Sequence, residues 1–378
     1  MSNSVGQTSR AVIATEVLLL ALLAGCSVPS VTNVTPERLM SGQSSTIVGT
    51  QFATGNEPVA VAMTGTGTNL YTANLLDGTI SAFKVGSTAA IETINGSPFE
   101  AGLHPVALCI TNDGRFLYVA NSGGQTVWGF SISDGGALIP AGSPTHAGFS
   151  PLGVTADATG NFLYVVSGAD NSLSEFRINR SNGTLSLIAG SPLTAGSAPV
   201  AILANPRGEY VHVLSAVNST LTNYRINTES GQLTQTGQSQ TGFQPSALAV
   251  SLTGGFIYTA NAGDGTISEF AFDQRNGTTR ALAGSPIPTG MNPLGIAIDP
   301  EDRFAYVANF NSNEIWGYSV AADGTLHQLD GPKTLAAPRP KAITIAPHQK
   351  VLYVTNVETN VVTGYTISND GALQPLLH

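Results

Sequence analysis

A proline that opens a short apolar run recurs seven times, at Pro58, Pro105, Pro151, Pro199, Pro245, Pro293 and Pro340, at intervals of 47, 46, 48, 46, 48 and 47 residues. Self-similarity at this period marks a repeat architecture, in which each unit is one small sheet that buries a face only by stacking on its neighbours. Two further positions keep the same register. Tyr71, Tyr118, Tyr164, His212, Tyr258, Tyr306 and Tyr353 occupy one, and Phe83, Phe130, Phe176, Tyr224, Phe270, Tyr318 and Tyr365 the other. Each unit holds four strand-like runs; in the second they are Val106 to Thr111, Phe116 to Asn121, Thr126 to Ser133 and Ala137 to about Pro144. Asp-Gly and Asn-Gly pairs separate such runs and supply the positive φ that tight hairpins need. Those beginning at Asp77, Asp264, Asp323 and Asp370 are expected at equivalent hairpins, as turn formers rather than acids.

The expected fold is all-β: a seven-bladed β-propeller of four-stranded antiparallel blades over residues 45–378. Two positions after each proline stand Ala60, Ala107, Gly153, Ala201, Ala247, Gly295 and Ala342, followed by Val61, Leu108, Val154, Ile202, Leu248, Ile296 and Ile343. Because strand side chains alternate between faces, one face is small seven times and the other bulky seven times. Crowding of innermost strands about a central axis accounts for the first, and packing between blades for the second. Gly49–Gly55 aligns with the outer-strand segment Gly96–Gly102, so an N-terminal strand is expected to pair into the last blade, closing the ring and removing two sheet edges.

The first 44 residues read differently. Arg10 precedes an apolar run from Val17 to Ala24, which ends in Leu23-Ala24-Gly25-Cys26. The run is shorter than the roughly 20 residues that span a bilayer. It resembles the lipobox of bacterial lipoproteins, which implies a signal peptide at 1–25, a lipid on Cys26, export, and membrane contact only through that lipid. Residues 26–44, rich in Ser, Thr, Val and Pro, read as a flexible tether. Lipidation of Cys26 leaves Cys109 alone, a small buried residue without a disulfide. With a net charge of −9 and scattered basic residues, nucleic acid is excluded as a partner, and the chain is expected to be a monomer.

Tyr353-Val354-Thr355-Asn356, with its variants Tyr118-Val119-Ala120-Asn121 and Tyr306-Val307-Ala308-Asn309, follows turns such as Asn112-Asp113-Gly114-Arg115-Phe116. In these segments the chain resembles the lactonase-type seven-bladed propellers, among them bacterial 6-phosphogluconolactonase, and the related propellers with Tyr-Val-Thr-Asn repeats. The resemblance spans all seven units and implies hydrolysis of a sugar lactone. It also implies His and Arg directly after the strand-opening prolines and a glutamate after the Asn that ends the second strand. Here those positions hold Val59, Val106, Leu152, Val200, Ser246, Leu294 and Lys341, and Leu75, Ser122, Ala262, Phe310 and Val357.

The residues just before the prolines, Glu57, His104, Ser150, Ala198, Gln244, Asn292 and Arg339, are expected together at one mouth of the central channel. His104 is the catalytic base candidate, since opening a lactone needs a base to activate water and a cation to hold the carbonyl oxygen. Glu57, Gln244, Asn292, Arg339 and Lys341 are the accompanying binding candidates. Two function classes follow: hydrolysis of a sugar lactone, or binding of a carbohydrate, peptide or envelope protein without turnover. No cofactor is expected, because there is no metal spacing, phosphate loop or dinucleotide fingerprint. Elsewhere, His212 is expected half-buried, Glu175 and Glu269 facing solvent, and Trp128 and Trp316 in the core. Ser97, Ser143, Ser191 and Ser285 in Gly-Ser-Pro are expected to make bends rather than act as nucleophiles.

Overall fold

The computed structural model describes residues 50–331 and 333–376, all of them strand, turn or loop. The signal peptide at 1–25, Cys26, the tether at 26–44 and residues 45–49 lie outside the described residues.

Each of the seven prolines is the first residue of an innermost strand, as in Pro58–Met63, and the next two strands follow as antiparallel hairpins, here Asn69–Asn74 and Thr79–Val85. The outer edge is made of two short segments paired to opposite halves of the third strand, Ile91–Thr93 and Phe99–Glu100 in blade 1. Blade 4 differs, with one continuous outer strand, Leu233–Gln240. In blades 1, 3 and 5 the break in the outer edge falls at a Gly-Ser-Pro bend. Ser97, Ser191 and Ser285 each accept the backbone N–H of the third strand, from Ala82, Glu175 and Glu269, at 2.8–2.9 Å.

The ring closes as expected. Thr50–Ala53 pairs antiparallel with Val361–Ile367 of blade 7, in the register Thr50↔Gly364 to Ala53↔Val361, beside the C-terminal segment Leu373–Pro375. Innermost strands abut their neighbours all the way round, the last against the first. The small residues on these strands answer to that crowding. A Cβ on Gly295 would lie 2.2 Å from the Lys341 carbonyl oxygen, and one on Gly153 would lie 3.1 Å from the Ile202 nitrogen.

The repeated tyrosine ties blade to blade. Tyr71, Tyr118, Tyr164, Tyr258 and Tyr306, all inaccessible to solvent, donate their hydroxyls to the carbonyls of Gly136, Gly183, Gly231, Gly324 and Gly371, in the outer hairpin of the following blade. Tyr353 closes the circuit onto the Ala89 carbonyl of blade 1 at 2.6 Å. Burial pushes these phenols well above their ordinary pKa.

Three expectations are corrected. His212 is not half-buried but fully buried: Nδ1 lies 2.8 Å from Asn223 Oδ1, Nε2 lies 3.3 Å from Asn205 Nδ2, and burial lowers its pKa to about 4. Tyr210, two residues earlier, takes over the tie in blade 4, to Gln274 O at 3.0 Å. Glu175 and Glu269 do not face solvent. The third strand is covered on both faces, so leaving the aromatic's face means entering the next blade, where the two carboxylates accept the N–H of Leu233 and Leu326 at 2.7 and 2.6 Å. Burial raises their pKa, and the bonded N–H groups work against that rise. Finally, the Asp-Gly pairs belong to two kinds of hairpin at opposite ends of the strands. Asp77 and Asp264 join second to third strands, whereas Asp323 and Asp370 join third to outer strands. Cys109 is packed against the cluster between blades 2 and 3, and burial raises its thiol to about 12. Trp128 and Trp316 are partly buried against the core, as expected.

Replacing Tyr353 by Phe strips the Ala89 carbonyl of its buried donor at the ring's seam. Urea unfolding should show a loss of about 1–3 kcal/mol, the cost of an orphaned buried polar group. An unchanged midpoint would remove this bond from the forces that hold the ring shut.

Candidate functional site

The first and third strands begin, and the second ends, at one face of the propeller, so the loops before the prolines and the second-to-third hairpins surround the same channel mouth. The seven residues before the prolines share a conformation their types did not announce. Glu57, His104, Ser150, Ala198, Gln244, Asn292 and Arg339 all have positive φ, between 49° and 57°. A left-handed backbone costs a residue with a Cβ about 1–2 kcal/mol, so something must enforce it seven times. The carbonyl of each accepts the N–H of the residue after the second strand, from Leu75, Ser122, Gly168, Ala216, Ala262, Phe310 and Val357, at 2.9–3.0 Å. Several of their own N–H groups are caught by the preceding blade: Glu57 by Asn360, Ala198 by Asn171 and Arg339 by Asn313.

Below the loop lies a second device that sequence reasoning missed. Three residues before six of the prolines stand Gly55, Gly102, Gly148, Gly196, Gly242 and Gly290, with Ala337 in blade 7. A Cβ on Gly102 would lie 2.8 Å from Asn121 Nδ2, and one on Gly242 would lie 2.5 Å from Asn261 Nδ2. The loop thus presses onto the polar residue that ends the second strand. The signal was present as a glycine at fixed distance from each proline.

The side chains on this frame are unevenly charged. Arg339 and Lys341 belong to blade 7, Glu57 to blade 1 and His104 to blade 2, so the ionisable residues that flank the prolines fill one contiguous sector. Ser150, Ala198, Gln244 and Asn292, on blades 3 to 6, are uncharged. All seven ring residues stand directly before an innermost strand, at the same end of their blades, and the first strand carrying Lys341 abuts the first strand of blade 1. Desolvation pushes the Lys341 ammonium pKa down, while the Glu57 carboxylate pulls it back up. Arg339 is held otherwise, its Nε 3.3 Å from Glu358 and its guanidinium 5.6 Å from the centre of the Phe310 ring. His104 lies over the second-to-third hairpin, where a Cβ on Gly123 would come 2.7 Å from Nδ1. Gln244 Oε1 is buried without a hydrogen-bond partner, and Asn292 Nδ2 reaches the Ala262 carbonyl at 3.5 Å. Among the described residues, no group of three or more His, Cys, Asp and Glu could hold a metal ion.

With this geometry in place, the comparisons with known proteins are decisive for family. The chain matches the family "Lactonase, 7-bladed beta-propeller" over residues 87–203, 138–250 and 212–377. It belongs to that family. No curated protein is significantly similar in sequence. Among solved structures, a Bacteroides fragilis protein provisionally named a 6-phosphogluconolactonase is similar at 20% identity and a TM-score of 0.66, with 75% of this chain and 86% of that one covered. The periplasmic gluconolactonase of Pseudomonas aeruginosa is similar at 19% identity and a TM-score of 0.65, with the same coverage. The hydrazine synthase of Kuenenia stuttgartiensis is similar at 16% and 0.63, covering 86% and 98%. At these identities the likeness establishes the shared propeller fold.

The Lys341 environment makes a test independent of any ligand. Its pKa is lower folded than unfolded, so between those two values the unfolded chain holds more protons and stability rises with pH. Measured against Lys341→Met, the wild-type urea midpoint should climb as pH is raised from 7 towards 10. Parallel curves would mean that the ammonium is not desolvated.

Proposed function

We propose that this propeller hydrolyses an unphosphorylated lactone at the charged sector of its channel mouth. The observation that carries this reading is the placement of Lys341, Glu57 and His104 at the mouth ends of three consecutive blades, 7, 1 and 2, with the Lys341 ammonium desolvated and the Glu57 charge opposing that desolvation. His104 takes a proton from water, and the hydroxide adds to the lactone carbonyl carbon. Lys341 faces the oxyanion, with a charge worth more for being desolvated. Collapse of the tetrahedral species breaks the ring C–O bond, and the leaving alkoxide receives the proton from His104, giving a hydroxy acid. Glu57 acts as a positioning residue that keeps Lys341 protonated against its burial. A phosphate dianion would call for more: this sector carries Lys341 and an Arg339 whose guanidinium faces the Glu358 carboxylate. The name of the Pseudomonas aeruginosa neighbour joins this scaffold to gluconolactone and to an extracytoplasmic address. The lipobox-like Cys26 supports the same address for this chain.

A second reading, binding of a carbohydrate, peptide or envelope protein without turnover, is favoured by one observation. Six of the seven residues that follow the strand-opening prolines, Val59, Val106, Leu152, Val200, Ser246 and Leu294, carry no ionisable group.

Two experiments test these proposals. Glucono-δ-lactone and γ-butyrolactone, followed by acid release, should be hydrolysed by the wild type. His104→Ala and Lys341→Met should each reduce kcat/KM at least about 100-fold, as expected for a general base or an oxyanion-stabilising group. Glu57→Gln should instead move the alkaline limb of the pH profile to lower pH, since Lys341 then loses its proton sooner. Ligand binding with no turnover would establish the second reading. For the address, Cys26→Ala should shift the protein from the membrane to the soluble fraction in the native host; an unaltered distribution would sink the lipid anchor.

A further inference from the structure

Six of the ten large apolar side chains exposed among the described residues sit on the mouth face. Leu103, Phe149, Phe243 and Met291 directly precede ring residues and are 57%, 53%, 53% and 62% exposed; Leu76 and Val217 stand on second-to-third hairpins at 45% and 60%. Water-exposed apolar groups gathered in one place mark a binding surface, whereas single scattered ones do not. These are not loose loop ends. Phe149 and Phe243 donate their N–H groups to Asp170 and Asp264 at 3.0 and 2.9 Å, and their carbonyls accept from Ala169 and Gly263. The Leu103 and Met291 carbonyls are held in the same way by Gly124 and Asn311. Backbone bonds therefore present four large side chains to solvent at one repeat position.

We propose that this collar selects lactones that carry an unbranched apolar chain, the lactone ring lying in the charged sector and the chain running outwards across Leu103 and Phe149 on blades 2 and 3. The proposal rests on the reading of the mouth as a lactone site and specifies its substrate class. A sugar lactone surrounds its ester with hydroxyls that need donors and acceptors, and these side chains supply none. A broad protein partner fits less well, because charge borders the collar: the Asp77, Asp170 and Asp264 carboxylates accept the N–H groups of Asn56, Phe149 and Phe243 in the same loops, and the Arg339–Glu358 pair occupies blade 7. A narrow chain crossing one or two blades needs only a local apolar strip.

The test uses γ-butyrolactone, γ-octalactone and γ-dodecalactone with the full chain, reading both hydrolysis and, with the corresponding non-hydrolysable γ-lactams, calorimetric affinity. Burial of a methylene is worth about fourfold in affinity, so even partial contact should favour the octa- over the butyro-compound at least about tenfold. Phe149→Ser and Leu103→Ser should bring that ratio close to unity. Ile139→Ser and Leu187→Ser, exposed on outer strands, should leave it as it was. Hydrolysis without chain-length preference would overturn the collar and leave the hydrolase reading standing. Chain-length-dependent lactam binding without any lactone turnover would uphold the collar and refute the hydrolase. Equal binding of all three lactams, or a preference that survives in Phe149→Ser and Leu103→Ser, would overturn the collar as well.

Discussion

A hydroxyl-to-carbonyl bond repeated around the ring is what the rest of the structure depends on. Each blade is a sheet too small to bury both its faces, and its second strand carries a tyrosine whose phenol reaches the outer hairpin of the next blade. Apolar packing between blades supplies most of the energy but has no preferred register, since dispersion and hydrophobic burial are non-directional. The phenolic bond is directional. It fixes how far one sheet is rotated on its neighbour, and the seventh such bond, from Tyr353 to Ala89, meets the first blade only if all the earlier rotations agree.

That agreement positions the mouth. Because the loop before each proline is bonded to its own second strand, and in blades 1, 4, 5 and 7 its ring residue is bonded to the preceding blade as well, its left-handed conformation is imposed by the frame and tolerates Glu, His, Ser, Ala, Gln, Asn and Arg alike. The scaffold sets where a group stands; the sequence at that position sets its chemistry. Function on such a fold lies in the residues that the repeat leaves free. Ionisable residues flanking the prolines on blades 7, 1 and 2, and exposed apolar groups across blades 1 to 6, are therefore the parts of this molecule that distinguish it from its own repeat.

The fold was legible because its constraints are local or periodic. The prolines mark every innermost strand, the small residues follow from crowding that recurs in each blade, and Gly49–Gly55 matches an outer-strand segment closely enough to foretell the closure made by Thr50–Ala53. What escaped were contacts between blades. Glu175 and Glu269 lie opposite a buried aromatic, which in a two-sided sheet means solvent, but a propeller blade has a neighbour on each side. His212 occupies the tyrosine position, and nothing local tells that Tyr210 takes over the inter-blade bond. The candidate site was legible as a list of positions and not as an environment. Lys341 beside Glu57 depends on the last blade meeting the first, residues far apart in the chain.

The two tryptophans show how a change inside a blade reaches the mouth. In blades 1 and 5 the asparagine ending the second strand donates to hydroxyls five and seven residues on, Asn74 to Thr79 and Ser81, and Asn261 to Thr266 and Ser268. In blades 2 and 6 the seventh residue is Trp128 or Trp316, which fills apolar space and accepts nothing. Asn309 instead turns its Nδ2 to the Val307 carbonyl at 3.4 Å, while its Oδ1 accepts from the Thr289 hydroxyl in the loop that leads to Met291 and Asn292. Asn121 has no such partner within the protein, although it is fully buried and lies against Gly102 in the loop that carries Leu103 and His104. The loops beside these two tryptophans thus rest on altered supports, and they carry the base candidate of blade 2 and the exposed methionine of blade 6. Substitution at a core position of the third strand therefore changes what a mouth loop rests on, while the ring residues above, His104 and Asn292, keep the left-handed turn shared by all seven blades.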